Sequence, residues 1–236
     1  MLNFLKGKTS RNKHIELISV HIPKTAGTSF RNTLKAVYGE EAVVRLDVDV
    51  IGGKEILRVN QAAYTDKTLP KQARVIHGHF CPGELSDRFT LPQEHQIITW
   101  LRDPVDRVAS NYYYLAKRLA EELDEVGKNL NILSKMQRTL LEYAEDELNR
   151  NRISKFLHGT PLEQLAFVGI QEYYTEDLQV LAKLLKWTDF TEFKHNVTAS
   201  KYEVSPEERA EIAALNDLDV KLYDAALKLR QNRIER

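Results

Sequence analysis

The sequence predicts a single α/β domain whose central sheet is mainly parallel and flanked by helices. Apolar runs typical of buried strands alternate along the chain with segments of helical spacing. Two of these runs, at residues 15–22 and 96–101, lead through a short loop into a predicted helix, which is the order found in parallel α/β sheets. A length of 236 residues suits one such domain, which we expect to span residues 1–236.

Four runs rich in apolar and β-branched residues predict the strands, at residues 15–22, 42–48, 74–79 and 96–101. Turns are expected after the second and third of them, at Gly52-Gly53 and Pro82-Gly83. Residues 54–71 have no clear hydrophobic period, so an irregular segment or a short helix is expected there.

Helices are predicted where apolar residues recur at helical spacing next to a capping residue. The first extends from about Thr28 to Val37 and ends at Gly39, a preferred C-terminal capping residue. The second begins at Pro104 with Asp103 as its N-cap and reaches about Leu123. Further helices are predicted within the charged stretch 121–150, after Phe167–Ile170, and from the capping box at Ser205 to about Arg230.

Composition argues against several classes of protein. Lys+Arg and Asp+Glu both number 34, so no global positive field draws the chain to nucleic acid or to an acidic membrane. Cys81 is the one cysteine, which excludes an intramolecular disulfide and a cysteine-based zinc cluster. No run approaches the roughly 18 apolar residues of a membrane span. We therefore expect a soluble, cytoplasmic protein without a nucleic-acid partner or stable membrane insertion; the oligomeric state stays open.

The stretch His21 to Ser29 (HIPKTAGTS) lies between the first strand and the first helix. A lysine, hydroxyl side chains and backbone N–H groups at a helix N-terminus favour a bound phosphate or sulfate. Because Lys24 precedes Gly27 and no G-K-[ST] follows, the stretch does not match the Walker A loop that binds ATP·Mg²⁺. The alternative is a plain strand–helix turn.

Arg102 and Ser110 form a second candidate anion site. Arg102 follows the predicted strand 96–101, at the end where α/β sheets bind ligands, and Ser110 lies two turns into the next helix. A guanidinium and a hydroxyl there can hold a second phosphate. In the alternative, Arg102 pairs with a carboxylate and Ser110 faces solvent.

His77 and His79 flank Gly78 at the end of the predicted strand 74–79. Alternate residues of a strand point to the same face, so both imidazoles can face one cleft, and Gly78 leaves the other side open. Such a pair suits general base chemistry on a hydroxyl, with one histidine abstracting the proton and the other orienting it. The alternative is two buried, hydrogen-bonded structural histidines. A metal would need a third ligand with diagnostic spacing, so no metal site is predicted.

Together these stretches resemble the 3′-phosphoadenosine 5′-phosphosulfate (PAPS)-dependent sulfotransferases, and most of all the carbohydrate branch that includes heparan sulfate 2-O-sulfotransferase. Residues 21–29 look like that family's 5′-phosphosulfate loop. Residues 101–110 (LRDPVDRVAS) look like its 3′-phosphate element. His77-Gly78-His79 is similar to the paired-histidine segment of the uronyl 2-O-sulfotransferases.

The resemblance implies a P-loop-kinase-like sulfotransferase fold and transfer of a sulfuryl group to an acceptor hydroxyl, with adenosine 3′,5′-bisphosphate (PAP) as product and no required metal. His79 would be the base and His77 its assistant, while Lys24 would steady charge on the bridging oxygen. Residues 196–201 would close over the cofactor. The cofactor-binding residues implied are Lys24, Thr25, Ala26, Gly27, Thr28, Ser29, Arg102 and Ser110.

The chain also departs from the Golgi members of that family, which carry an N-terminal membrane anchor and often disulfides. It therefore resembles a soluble, bacterial relative with a largely helical insertion at about 121–160, and its acceptor is expected to be a saccharide or a small metabolite. Two other functions stay open: a P-loop-like kinase of nucleotides or metabolites, and a non-catalytic PAP-binding module.

Overall fold

Seven strands form one sheet in the computed structural model, which describes residues 12, 14–92, 94–124, 138–193 and 203–235. The strands are β1 (Leu17–Val20), β2 (Val43–Ile51), β3 (Lys54–Val59), β4 (Ala62–Ala63), β5 (Val75–Gly78), β6 (Gln96–Leu101) and β7 (Phe167–Ile170). Their order across the sheet is β4-β3-β2-β5-β1-β6-β7.

Helices connect most of these strands. The α-helices are α1 (Gly27–Tyr38), α2 (Pro82–Arg88), α3 (Pro104–Asp124), α4 (Leu140–Glu145), α5 (Arg152–Phe156), α6 (Tyr174–Leu184), α7 (Pro206–Leu215) and α8 (Asp217–Ile234). Short 3-10 helices lie at Glu40–Ala42, Leu162–Gln164 and Gln171–Tyr173. No described helix combines the length and the apolar character that crossing a bilayer requires.

The central strands are parallel. β1 lies between β5 and β6, β5 pairs with β2, and β6 pairs with β7, all in parallel. Only β3 and β4 join the described sheet as antiparallel strands, at one edge. The prediction of a single α/β domain with a mainly parallel sheet is therefore confirmed. One consequence is that the carboxyl ends of β5, β1 and β6 meet at the same edge of the sheet.

Apolar residues on both faces of the sheet hold the layers together. Successive residues of β1 point to opposite faces, so Leu17 joins a cluster with Phe30 and Leu34 of α1, while Ile18 joins a second cluster with Ile153 of α5. All five side chains are at most 1% exposed. This two-sided burial is typical of parallel sheets and fixes the register of the strands that carry the site.

Helix starts follow the capping residues that the sequence predicted. Asp103 accepts a hydrogen bond from the backbone N–H of Asp106 at 2.9 Å, and α3 begins at Pro104. Ser205 forms a capping box with Glu208 at the start of α7. Since a cap satisfies N–H groups that have no partner in the first turn, these local signals decide where the helix begins.

Three local predictions were wrong: the structure of residues 54–71, the turn at Pro82-Gly83, and the single C-terminal helix. Residues 54–71 were expected to be irregular or helical, yet Gly52 and Gly53, at φ 58° and 74°, form a tight turn that places β3 antiparallel to β2. The missed signal is a half-exposed strand next to the sheet edge, in which Leu57 and Val59 are buried and the residues between and before them are more exposed. Pro82-Gly83 is the first turn of α2 instead of a loop turn, because proline fits the first position of a helix.

The predicted C-terminal helix is two helices. Asn216 separates α7 from α8 because its buried side chain accepts a hydrogen bond from the N–H of Asn151 and donates one to the carbonyl of Ile212. Such side-chain bonds compete with the helical backbone. The expected helical insertion at 121–160 contains α4 and α5 in its described part, and its extent stays a prediction, as does the domain range 1–236.

Candidate functional site

The three sequence motifs meet at one edge of the sheet. His21 directly follows β1, His79 directly follows β5, and Arg102 directly follows β6. In the register, Val20 lies beside Gly78 on one side and beside Thr99 on the other, so β1 and β5 end level and β6 extends two residues further. The fold thus brings together, at neighbouring carboxyl ends, residues that lie up to about 80 positions apart in the chain.

The loop after β1 has the backbone shape of an anion cradle. Lys24 and Ala26 adopt left-handed conformations, at φ 73° and 64°, which non-glycine residues rarely do. Ala26 is the N-cap of α1 and has no side chain that could accept a hydrogen bond from the first turn. Alternation of left-handed residues at a helix N-terminus directs backbone N–H groups into one concavity that favours an anion.

The hydroxyl side chains of this loop serve different purposes. The Thr25 hydroxyl is buried and donates to the carbonyl of Ile22 at 2.8 Å. This bond stabilises the loop, so the hydroxyl is engaged within it, and the role of Thr25 in cofactor binding stays a prediction that its backbone N–H could fulfil. Ser29 is also buried, whereas Thr28 is exposed and lines the cavity described below.

Two cations face this loop. The guanidinium Nη1 of Arg102 lies 3.4 Å from the carbonyl oxygen of Lys24. Burial lowers the pKa of the Lys24 ammonium, and the neighbouring charge of Arg102 lowers the same pKa further. A bound anion would relieve this repulsion, since an opposite charge favours the charged form of each group.

Arg102 keeps its charge available within the described residues. It forms no ion pair there, because the adjacent carboxylates of Asp103 and Asp106 instead pair with Arg209, at 3.2 and 2.7 Å. The alternative in which a carboxylate occupies Arg102 is therefore disfavoured. Ser110 is half-buried on α3, two turns beyond the start of the helix.

The histidines form a stack of three rings. The ring of His21 lies between the other two, with centroids 5.0 Å from His77 and 4.3 Å from His79. Gly27 is required beside this stack, because a Cβ at that position would lie 1.8 Å from Nε2 of His21. Glycine is also required at position 78, because a Cβ there would lie 1.8 Å from the carbonyl oxygen of Leu46. The side of Gly78 opposite the histidines was expected to be open and is instead filled by β2.

The contacts of His79 fix its tautomer. Its Nδ1 lies 2.7 Å from the carbonyl oxygen of His21, and because a carbonyl only accepts, Nδ1 carries the proton and Nε2 keeps a lone pair. Its backbone N–H donates to Oδ1 of Asp47 at 3.1 Å, and Asp47 pairs with Arg45 at 2.6 Å. Burial lowers the pKa of His79, and the Asp47 carboxylate opposes this shift. A neutral His79 is therefore the stable form near neutral pH.

His77 has a different environment. Only 2% of it is exposed, its Nδ1 lies 2.9 Å from the hydroxyl of Ser19, and burial lowers its pKa to about 3. The ring of His21 separates it from His79. The structure thus offers no direct contact through which His77 could orient His79, and it places His21 in that position.

The model of the sulfotransferase family matches residues 8–225. The chain belongs to the sulfotransferase family. Among solved structures, it is similar to a sulfotransferase from Alicyclobacillus acidocaldarius, with 17% identity, a TM-score of 0.48 and coverage of 92% of this chain and 96% of the other. It is also similar to a mouse sulfotransferase complexed with PAP, with 14% identity, a TM-score of 0.44 and coverage of 87% and 64%. The comparison with curated proteins found no match.

A cavity of about 270 Å³ lies between the loop after β1 and the histidines of this sulfotransferase. Its lining adds three side chains that the sequence motifs did not indicate: Arg31, Arg45 and Tyr114. Arg31 lies one turn beyond Gly27 in α1, and Tyr114 lies one turn beyond Ser110 in α3. Helical spacing from each motif would therefore have found them. Arg45 comes from β2, for which the sequence offers no comparable signal.

A metal site requires several ligand side chains that converge on one point. Among the described residues, no group of three or more His, Cys, Asp or Glu side chains is arranged to hold a metal ion. Independence from metal stays a prediction of the sequence. The predicted closing segment 196–201 lies outside the described residues.

Proposed function

We propose that this sulfotransferase uses PAPS as donor and transfers its sulfuryl group to a hydroxyl of a carbohydrate acceptor. One observation carries the proposal. The anion-cradle loop and a neutral His79, whose Nε2 keeps a lone pair, border one cavity, and Arg102, which pairs with no described carboxylate, contacts the loop from the neighbouring strand end. A generic anion site needs only the first of these features.

The residues at the loop fit a nucleotide with phosphates at two positions. The N–H groups at the start of α1 and the ammonium of Lys24 suit the 5′-phosphosulfate, and Arg102 with Ser110 suits the 3′-phosphate. When bound, PAPS would supply a sulfur atom whose bond to the bridging oxygen breaks as its bond to the acceptor oxygen forms. Lys24 would stabilise the negative charge that develops on the bridging oxygen.

His79 is proposed as the general base. Its Nε2 takes the proton of the acceptor hydroxyl, while its Nδ1–H stays bonded to the carbonyl of His21. The imidazolium that forms would be stabilised by the carboxylate of Asp47, whose negative charge raises the pKa of His79. In this proposal His79 transfers the proton and His77 has a structural role.

The acceptor class is inferred from the cavity lining. Arg31 and Arg45 line the cavity together with the histidines, and Arg45 is already paired with Asp47. Their charge favours an acceptor that itself carries carboxylate or sulfate groups, as acidic saccharides do. The cytoplasmic location stays a prediction from the sequence.

Transfer from radiolabelled PAPS to a panel of neutral and acidic saccharides, alcohols and phenols tests the proposal. We expect labelled product with the wild type, and with acidic saccharides above neutral ones. His79→Ala should lose transfer while its affinity for PAP is retained. The matched control is His95→Ala, because His95 lies before β6, at the opposite end of the sheet from the cavity. Equal transfer by the wild type and His79→Ala would remove His79 from the role of base.

A further inference from the structure

A half-exposed aromatic ring forms the wall of the cavity next to the anion-cradle loop. Tyr114 of α3 is 44% exposed and lines the cavity together with Thr28 and His79. The ammonium nitrogen of Lys24 lies 3.9 Å from the centre of the Tyr114 ring. The phenol oxygen accepts a long hydrogen bond, 3.4 Å, from Arg118. Tyr114 therefore presents the face of its ring, and not its hydroxyl, to Lys24.

Nothing else among the described residues offers the Lys24 ammonium an opposite charge. No described carboxylate lies within ion-pair distance of it, and its charged neighbour is Arg102, which repels it. A lysine side chain is a flexible chain of four methylene groups, and repulsion by Arg102 would turn its ammonium group toward water. The electron-rich face of an aromatic ring attracts a cation within about 6 Å of its centroid, so the ring opposes that movement.

We propose that Tyr114 is a positioning residue for transfer, whose ring face holds the Lys24 ammonium at the cavity before the donor arrives. The inference rests on the proposed function, in which Lys24 stabilises charge on the bridging oxygen. A lysine already held beside the reacting group needs no rearrangement during the reaction, and preorganised charge of this kind lowers the barrier. The ring should therefore contribute to kcat more than to the KM for PAPS, because the charge on the bridging oxygen develops only during transfer.

The first experiment measures the position of Lys24 without a donor. After reductive methylation with ¹³C, the Lys24 N-methyl signal, assigned with Lys24→Arg, should be shifted upfield by the ring current of Tyr114. We expect the same shift in Tyr114→Phe and its loss in Tyr114→Leu. A wild-type signal at the position of an exposed lysine would overturn the inference whether or not the protein transfers sulfate.

The second experiment measures conversion of PAPS to PAP with water or a saccharide as acceptor. Tyr114→Leu should lower kcat about 2- to 30-fold, which is the range that corresponds to a cation–π contact, while the KM for PAPS changes less. Tyr114→Phe should recover turnover, and Leu115→Ala controls for disturbance of the exposed face of α3. Replacement of Tyr114 by phenylalanines with one, two and three ring fluorines should lower kcat stepwise, because fluorine withdraws electrons from the ring face while the volume is nearly kept.

The outcomes separate the two hypotheses. A ring-current shift that depends on Tyr114 in a protein that does not convert PAPS would refute the proposed function and leave the contact of Lys24 with the ring in place, without its role in transfer. Active wild type with unchanged kcat in Tyr114→Leu, or with equal kcat across the fluorinated series, would overturn the positioning role itself.

Discussion

Gly27→Ala should disable the site through a contact that is visible in the structure. A Cβ at position 27 would lie 1.8 Å from Nε2 of His21, whereas ordinary contact begins at 3.4 Å, so the imidazole must retreat by about 1.6 Å. That ring stacks on His79, and the same residue's carbonyl holds Nδ1 of His79. A misplacement of about 1 Å can cost roughly 100-fold in rate, and overpacking costs about 1–3 kcal/mol in stability.

The assay is conversion of PAPS to PAP, with the free energy of unfolding from urea titration as a second readout. Gly83→Ala is the matched control, because its Cβ would meet no atom within 4 Å in a helical position. We expect Gly27→Ala to lose at least about 100-fold in kcat while Gly83→Ala is unchanged. In a His21→Ala background the imidazole that clashes is absent, so adding Gly27→Ala should change kcat and the free energy of unfolding little. Equal activity of Gly27→Ala and Gly83→Ala would refute the packing argument.

Three more predictions concern charge and burial. The pKa of His77 is about 3 in the fold against 6.5 for the free side chain, so only the unfolded state binds its proton between these values. Stability should therefore fall as the pH falls from 6.5 to 3, by roughly 1 kcal/mol per pH unit from this residue, and urea titrations of His77→Gln should show a shallower slope. The Asp47 carboxylate raises the pKa of His79, so Asp47→Asn should move the acid limb of the turnover profile to lower pH, and a shift to higher pH would contradict the assigned base. Asp177, 1% exposed, pairs with two arginines of α8, so Asp177→Ala should cost about 3–5 kcal/mol in urea, while Asp217→Ala on the surface should show no measurable loss.

Much of the fold could be predicted because its signals are local. The strand runs, the capping residue Asp103 and the C-terminal Gly39 each act within a few residues, and the structure has the corresponding elements. Parallel pairing follows from the alternation of strands and helices. The edge hairpin was missed because only Leu57 and Val59 of β3 are buried, and the break at Asn216 was missed because it depends on a distant partner, Asn151.

The sequence predicted which motifs form the candidate site, but it did not predict the contacts among their side chains. Strand ends brought Lys24, Arg102 and His79 to one edge because parallel topology requires it. The distinction between the two histidines could not be predicted, because it depends on the ring of His21, which comes from another strand end. Long-range contacts of this kind have no signature in the local sequence.

Isothermal titration with PAP, in the presence and absence of Mg²⁺, tests the central claim that the loop and Arg102 form a site for the two phosphates of a PAPS-type donor. We expect PAP to bind equally well with and without Mg²⁺ and more tightly than ATP·Mg²⁺. Arg102→Ala should weaken PAP binding about 10- to 100-fold, the loss expected for a hydrogen bond to a charged group. Tighter binding of ATP·Mg²⁺ than of PAP would contradict the account in favour of a kinase, and no binding of PAP would contradict the donor site itself.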